Sequence, residues 1–129
     1  MGKNKGQNFI ITGTVYPFDI MVSIGETDNS LINNLKLCNV KFKELEIIKN
    51  SPTTKGYYCM FDKGQSLIRI YSNKMDNTTN GILSHEIFHC AFAILTKVGI
   101  NLNRETEESY AYLIQFITQE IYKNILKWK

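Results

Sequence analysis

The stretch Ser84-His85-Glu86-Ile87-Phe88-His89-Cys90 holds both histidines of the chain and lies inside a long apolar segment. On an α-helix, residues four positions apart lie on one face, so His85 and His89 can present two ring nitrogens to one point. Glu86 can then reach a water in the open coordination position of a metal ion at that point and act as general base. These residue types at this spacing predict a zinc centre with hydrolytic chemistry.

The alternative interpretation is a pair of surface histidines on an ordinary helix. The residues around the motif are mostly apolar. Burying unpaired histidines among them would cost free energy. We therefore favour the metal-binding interpretation.

A catalytic zinc usually takes three protein ligands, so a third ligand is expected elsewhere in the chain. The metzincin extension HExxHxxGxxH is excluded, because Phe92 and Leu95 occupy its glycine and histidine positions. The next helical segment instead supplies acids, and eighteen residues separate His89 from Glu108.

Glu108 is followed by Ser109-Tyr110-Ala111. This arrangement resembles the gluzincin metallopeptidases, in which HExxH is followed by a glutamate on a second helix. Their aminopeptidase branch has an eighteen-residue gap and a glutamate followed by a small residue, an aromatic residue and alanine. The thermolysin-like branch has one more residue in the gap and an aspartate where this chain has Tyr112.

The resemblance covers residues 80 to 125 and, by size, is greatest to the minimal gluzincins. It implies zinc (Zn2+) bound by His85, His89 and Glu108, with Glu86 as the general base of peptide-bond hydrolysis. It also implies that Ser66–Tyr71, the strand ahead of the metal helix, pairs with an extended substrate. Candidates for stabilising the oxyanion are Tyr71, Tyr110 and Tyr112.

Helical periodicity leaves other acids open as the third ligand. If residues 104 to 127 form one helix capped by Asn103, Glu107 flanks its apolar stripe and Glu108 points largely away from it. That stripe comprises Tyr110, Leu113, Ile114, Ile117 and Ile121. We favour Glu108 for its spacing and local sequence, with Glu107 as second choice and Glu105 as third. All three acids can instead simply complement the helix dipole.

Length and composition indicate one folded domain over residues 1–129, with residues 1 to 8 predicted to be flexible. The chain is 43% hydrophobic and 21% charged, as in globular proteins. Its net charge of +3 comes mainly from dispersed lysines, which argues against nucleic-acid binding. No run of residues is long and apolar enough to predict a membrane span, and the oligomeric state is left open.

Three cysteines, Cys38, Cys59 and Cys90, include no Cys-x-x-Cys pair, and their odd number argues against a disulfide framework. We therefore predict a reducing, cytoplasmic environment. The abundance of lysine, asparagine and isoleucine is typical of AT-rich genomes, as in low-GC bacteria and their phages.

Alternation of apolar and polar residues predicts a strand over Phe18–Ile24, and more weakly over Phe9–Val15 and Val40–Ile48. A hairpin of Tyr57–Phe61 and Ser66–Tyr71 is predicted around Gly64. In its second strand, side chains facing the core (Ile68 and Ile70) alternate with side chains facing outward (Leu67, Arg69 and Tyr71).

Helices are predicted over Asp28–Leu37, over residues 79 to 98 and from Asn103 towards the C-terminus. The second of these is apolar enough to be buried on most sides, and the short connection after it makes the last two helices antiparallel neighbours. The predicted fold is α+β and zincin-like: a small mixed β-sheet packed against an HExxH active-site helix and an antiparallel C-terminal helix.

The predicted function is hydrolysis of a peptide or protein substrate by a zinc peptidase. The alternative is a non-proteolytic accessory, structural or regulatory protein, for example one encoded by a phage, that keeps the zinc site. Glu86 favours chemistry, because a purely structural zinc needs no general base.

Overall fold

The computed structural model describes residues 6–49 and 55–127. Four strands form one mixed sheet in the order β1-β2-β4-β3. Their bounds are Gln7–Ile11 for β1, Ile20–Ile24 for β2, Gly56–Met60 for β3 and Ser66–Ile70 for β4. The central pair β2–β4 is parallel, and the two outer pairs are antiparallel.

The prediction that residues 1 to 8 are flexible is wrong for Gln7 and Asn8, which belong to β1. Both pair with β2, and Gln7 is buried. Residues 1–5 lie outside the described part of the chain.

The helices are α1 (Asp28–Leu37), the short α2 (Glu46–Lys49), α3 (Asn77–Lys97) and α4 (Glu107–Lys127). The predicted α+β class with a small mixed sheet is confirmed. The predicted strand over Val40–Ile48 is wrong, since a 3-10 turn and α2 occupy most of it. Its buried residues Val40, Leu45 and Ile48 pack with Leu31 and Leu35 of α1 in a hydrophobic cluster.

Helices cover both faces of the sheet. On one face, α3 and α4 pack against strand residues such as Val22 and Ile68. On the other face, Leu31 of α1 packs in a second cluster with Leu67. The prediction that Leu67 and Arg69 face outward is therefore wrong, since they are 0% and 1% exposed. An alternating pattern suggests one solvated face, whereas this sheet has two covered faces.

Two contacts establish how α3 and α4 pack. The rings of Phe92 and Tyr110 have centroids 6.2 Å apart, and the Tyr122 hydroxyl donates to Asn80 Oδ1. Phe92, late in α3, contacts Tyr110 at the start of α4, whereas Asn80, early in α3, contacts Tyr122 towards the end of α4. The two helices are therefore antiparallel, as predicted.

The predicted apolar stripe of α4 is also found, with Tyr110, Leu113, Ile117 and Ile121 buried. However, α4 begins at Glu107, later than the predicted start at residue 104. Asn103 Oδ1 accepts hydrogen bonds from the backbone N–H groups of Glu105 and Thr106. It therefore caps a turn that precedes the helix, and this turn takes up the first residues of the predicted helix.

The predicted hairpin between β3 and β4 is confirmed. Gly64 has φ +91°, and its N–H donates to the Phe61 carbonyl at 2.8 Å. A glycine is favoured at this backbone conformation because it has no Cβ.

Candidate metal centre

His85 and His89 lie side by side on an exposed face of α3. Their Nε2 atoms are 3.1 Å apart. Two ligands of a tetrahedral zinc with Zn–N bonds of about 2.0–2.1 Å are roughly 3.3–3.4 Å apart, so this spacing suits one shared ion. The same approach is a hydrogen bond when one Nε2 carries the ring proton and the other accepts it. For both Nε2 atoms to bind one metal, that proton must instead be on Nδ1.

Glu86 occupies the adjacent position on α3 and is 6% exposed. Burial raises the pKa of its carboxyl group, and the nearby His85 and His89 oppose this increase. A carboxylate with a raised pKa is a better proton acceptor near neutral pH. Glu86 therefore has the environment of a general base.

Glu86 and His85 line an open cleft of about 420 Å³ between α3 and β3. Its other lining residues are Lys55, Gly56, Thr78, Gly81 and Ile82. A Cβ at Gly56 would lie 2.8 Å from the Arg69 carbonyl oxygen and 3.0 Å from Ile82 Cγ2. Glycine therefore allows β3 to pass this close to its neighbours, and this shapes one wall of the cleft.

The strand predicted to pair with substrate, Ser66–Tyr71, contains β4 and lies inside the sheet. Because β2 and β3 pair with its two sides, β4 cannot offer an edge to a peptide, and this prediction is wrong. The outer strand bordering the cleft is β3. The parallel β2–β4 pairing that places β4 inside the sheet joins distant parts of the chain and has no local sequence signal.

The predicted third ligands lie apart from the histidine pair. Glu105, Glu107 and Glu108 are exposed. Since Tyr110 lies opposite Phe92, Glu108 is level with residue 94, five residues or about 7.5 Å along the axis from His89. Within residues 6–49 and 55–127, no three His, Cys, Asp or Glu side chains are grouped to hold a metal. The choice among the acids stays a prediction.

The three candidate tyrosines have different surroundings. The Tyr110 hydroxyl donates to the Ile100 carbonyl at 2.7 Å, and Tyr112 lines a separate cavity of about 320 Å³ with residues 13–16. Tyr71 lines a cavity of about 310 Å³ that shares Lys55 and Ile82 with the Glu86 cleft. The Tyr71 ring, however, lies 4.6 Å from the Arg69 guanidinium carbon and packs edge-on against Tyr57, on the α1 side of the sheet. None of these contacts favours one of the three tyrosines as the oxyanion donor.

The prediction that the helix with the two histidines, α3, is buried on most sides is wrong for one strip of its surface. Phe88 and Phe92 are 41% and 42% exposed, on the same side of α3 as the histidines. Apolar composition alone could not distinguish these two residues from the core of the helix. Each follows a histidine by three residues, which places both near the histidines on a helix, and this spacing was the available signal.

Comparison of the chain with family models, with characterised proteins and with solved structures gives no match. In the part of the chain that the structure describes, no helix is long and apolar enough to cross a membrane.

Proposed function

We propose that this chain is a zinc-dependent peptidase in which His85 and His89 bind the metal and Glu86 is the general base. The observation that carries this proposal is the convergence of the two Nε2 atoms, 3.1 Å apart, beside a buried carboxylate that lines an open cleft. Bound zinc supplies a Lewis acid that polarises a carbonyl group and lowers the pKa of water.

Glu86 accepts a proton from the attacking water at a carboxylate oxygen as the water oxygen bonds to the peptide carbonyl carbon. It then passes that proton to the amine nitrogen as the C–N bond breaks. The substrate lies in the cleft between α3 and β3, with Lys55 at the rim.

We assign the third ligand to Glu108, with Glu107 as the second choice. Either carboxylate must approach His89 more closely than the described packing of α3 and α4 allows. Both acids lie in the first turn of α4, ahead of its buried stripe. A shift of this turn toward the histidines would also move Tyr110, which packs on Phe92 and donates to the Ile100 carbonyl.

The second candidate is a zinc-binding accessory or regulatory protein without peptidase activity. The exposed position of Glu107 and Glu108 favours it, because the described residues then supply only the two histidines as a ligand pair. Such a protein would bind zinc and leave peptides intact.

Hydrolysis of a mixed peptide library by the zinc-supplemented protein tests the proposal, with products identified by mass spectrometry. We expect new peptide termini from the wild-type protein. In Glu86→Gln, cleavage should fall at least about 100-fold, because the shape is kept and the base is lost. Zinc binding without cleavage by either protein would favour the second candidate. Equal cleavage by both would refute the role of Glu86.

A further inference from the structure

Two exposed phenylalanines lie directly beside the histidine pair. The Phe88 ring centroid is 6.4 Å from that of His89 and 6.1 Å from that of Phe92. Phe92 in turn lies 6.2 Å from the ring of Tyr110. These rings form a continuous aromatic row from the histidines to the first turns of α4.

The row and the cleft lie on opposite sides of the histidines. At 100° per residue, Phe88 and Phe92 fall on the α4 side of His85 and His89, whereas Glu86 falls on the β3 side. A peptide lying across the two ring nitrogens would therefore meet the cleft on one side and the aromatic row on the other.

Core packing does not account for the exposure of Phe88 and Phe92. The side of α3 that packs in the core is formed by fully buried residues such as Ile87, Ala91 and Ile94. Other strongly exposed apolar residues, such as Val15 and Leu37, belong to separate parts of the fold. Adjacent exposed aromatic residues beside a candidate site indicate a contact surface.

We propose that Phe88 and Phe92 contact a large apolar side chain of the substrate close to the scissile bond, so that the enzyme selects such peptides. This inference rests on the proposed function. Aromatic rings offer a broad apolar surface to an aromatic or aliphatic side chain, whereas a carboxylate placed against them would lose hydration without a partner. Phe92 is supported from behind by Tyr110, whose hydroxyl is bonded to the Ile100 carbonyl.

The test compares wild-type protein with Phe88→Ser, Phe92→Ser and the control Leu37→Ser. Leu37 is 81% exposed on α1, so this control removes an exposed apolar side chain away from the histidines.

The substrates are matched peptides with Phe, Leu, Ala or Asp on either side of the cleaved bond. Binding of the same labelled peptides to Glu86→Gln protein, measured by fluorescence anisotropy, provides a readout that does not require turnover. Zinc content and thermal unfolding identify variants that have lost the metal or the fold. Phe88→Gln and Phe92→Gln, which remove the ring but suit a helix, replace any that have.

We expect wild-type protein to prefer Phe or Leu over Asp. Each serine variant should lose about tenfold of this preference, in cleavage and in binding, and Leu37→Ser should keep it. Cleavage by wild-type protein with an unchanged preference in both phenylalanine variants would overturn the inference and leave the proposed function standing. A change in oligomeric state alone would also overturn it and would assign the row to self-association. Absence of zinc binding, peptide binding and cleavage in the wild-type protein would overturn both proposals.

Discussion

Arg69 Nη2 donates a 2.7 Å hydrogen bond to Asp28 Oδ1, joining β4 to the first turn of α1. Arg69 is 1% exposed, and its Nη1 also donates to Ser23 Oγ and to the Glu26 carbonyl. The guanidinium thus links the α1 layer to the middle of the sheet. Removing one partner of a buried charged network is costly because the remaining polar groups lose their hydrogen bonds.

We expect Arg69→Met to lower the free energy of unfolding by about 2 kcal/mol, measured by urea titration, because the Glu26 carbonyl loses a buried donor whereas Asp28, 54% exposed, becomes hydrated. Lys41→Met is the matched control, since it removes a positive charge from an ion pair with Asp62 at 3.6 Å whose two side chains are exposed. An exposed pair of this kind contributes less than about 1 kcal/mol. Equal losses in the two variants would contradict the structural role of Arg69.

Two cysteines should resist alkylation in the folded protein. Burial raises the pKa of Cys59 and of Cys90 to about 12, and only the thiolate reacts readily. With iodoacetamide at about pH 8, peptide mapping should find both thiols unmodified in the native state and modified in urea, because an unperturbed thiol has a pKa of about 8.5. Equally rapid native and denatured modification would contradict the described burial.

The same pKa values predict how stability depends on pH. Between about pH 8.5 and pH 12, the folded state keeps protons on Cys59 and Cys90 that the unfolded state releases, so the free energy of unfolding falls as pH rises. Their contribution is fully present below about pH 8.5. In urea titrations across this range, Cys90→Ala should show a shallower decline than the wild-type protein. An identical slope in both proteins would exclude Cys90 as a contributor.

The Tyr110 hydroxyl should matter for stability more than for catalysis. It donates to the Ile100 carbonyl at 2.7 Å, and Tyr110 is 2% exposed. Tyr110→Phe removes this hydrogen bond and should lower the free energy of unfolding by about 1 kcal/mol, with peptide cleavage unchanged. Loss of cleavage with unchanged stability in Tyr110→Phe would instead assign the oxyanion role to Tyr110.

The parts of the site predicted from sequence are those fixed by one helix. His85, Glu86 and His89 are within five residues of one another, so helical geometry alone brings the two rings together. The position of a third ligand depends on how α3 packs on α4 and on where α4 begins. The turn capped by Asn103 moves that beginning to Glu107, whereas the sequence pattern predicts Asn103 as the cap of the helix itself.

The sheet shows the same division between local and long-range information. The hairpin around Gly64 was predictable because its turn and both strands are adjacent in sequence. The parallel pairing of Ile20–Ile24 with Ser66–Ile70 joins distant segments, and it determines which strand lies at the edge. The alternation that directs Ile68 and Ile70 to the core predicts an outward Arg69, whereas its hydrogen bonds to Ser23, Glu26 and Asp28 allow it to be buried under α1.

Zinc content of the purified protein is the most direct test of the metal centre, measured by elemental analysis after zinc loading and dialysis. We compare wild-type protein with His89→Ala, Glu108→Ala, Glu107→Ala and the control Glu46→Ala, which alters an exposed acid on α2. We expect about one zinc per chain in the wild-type protein and the control, loss of zinc in His89→Ala, and weaker binding in Glu108→Ala than in Glu107→Ala. Wild-type protein without zinc, or with the same zinc content as His89→Ala, would contradict the assignment of this site.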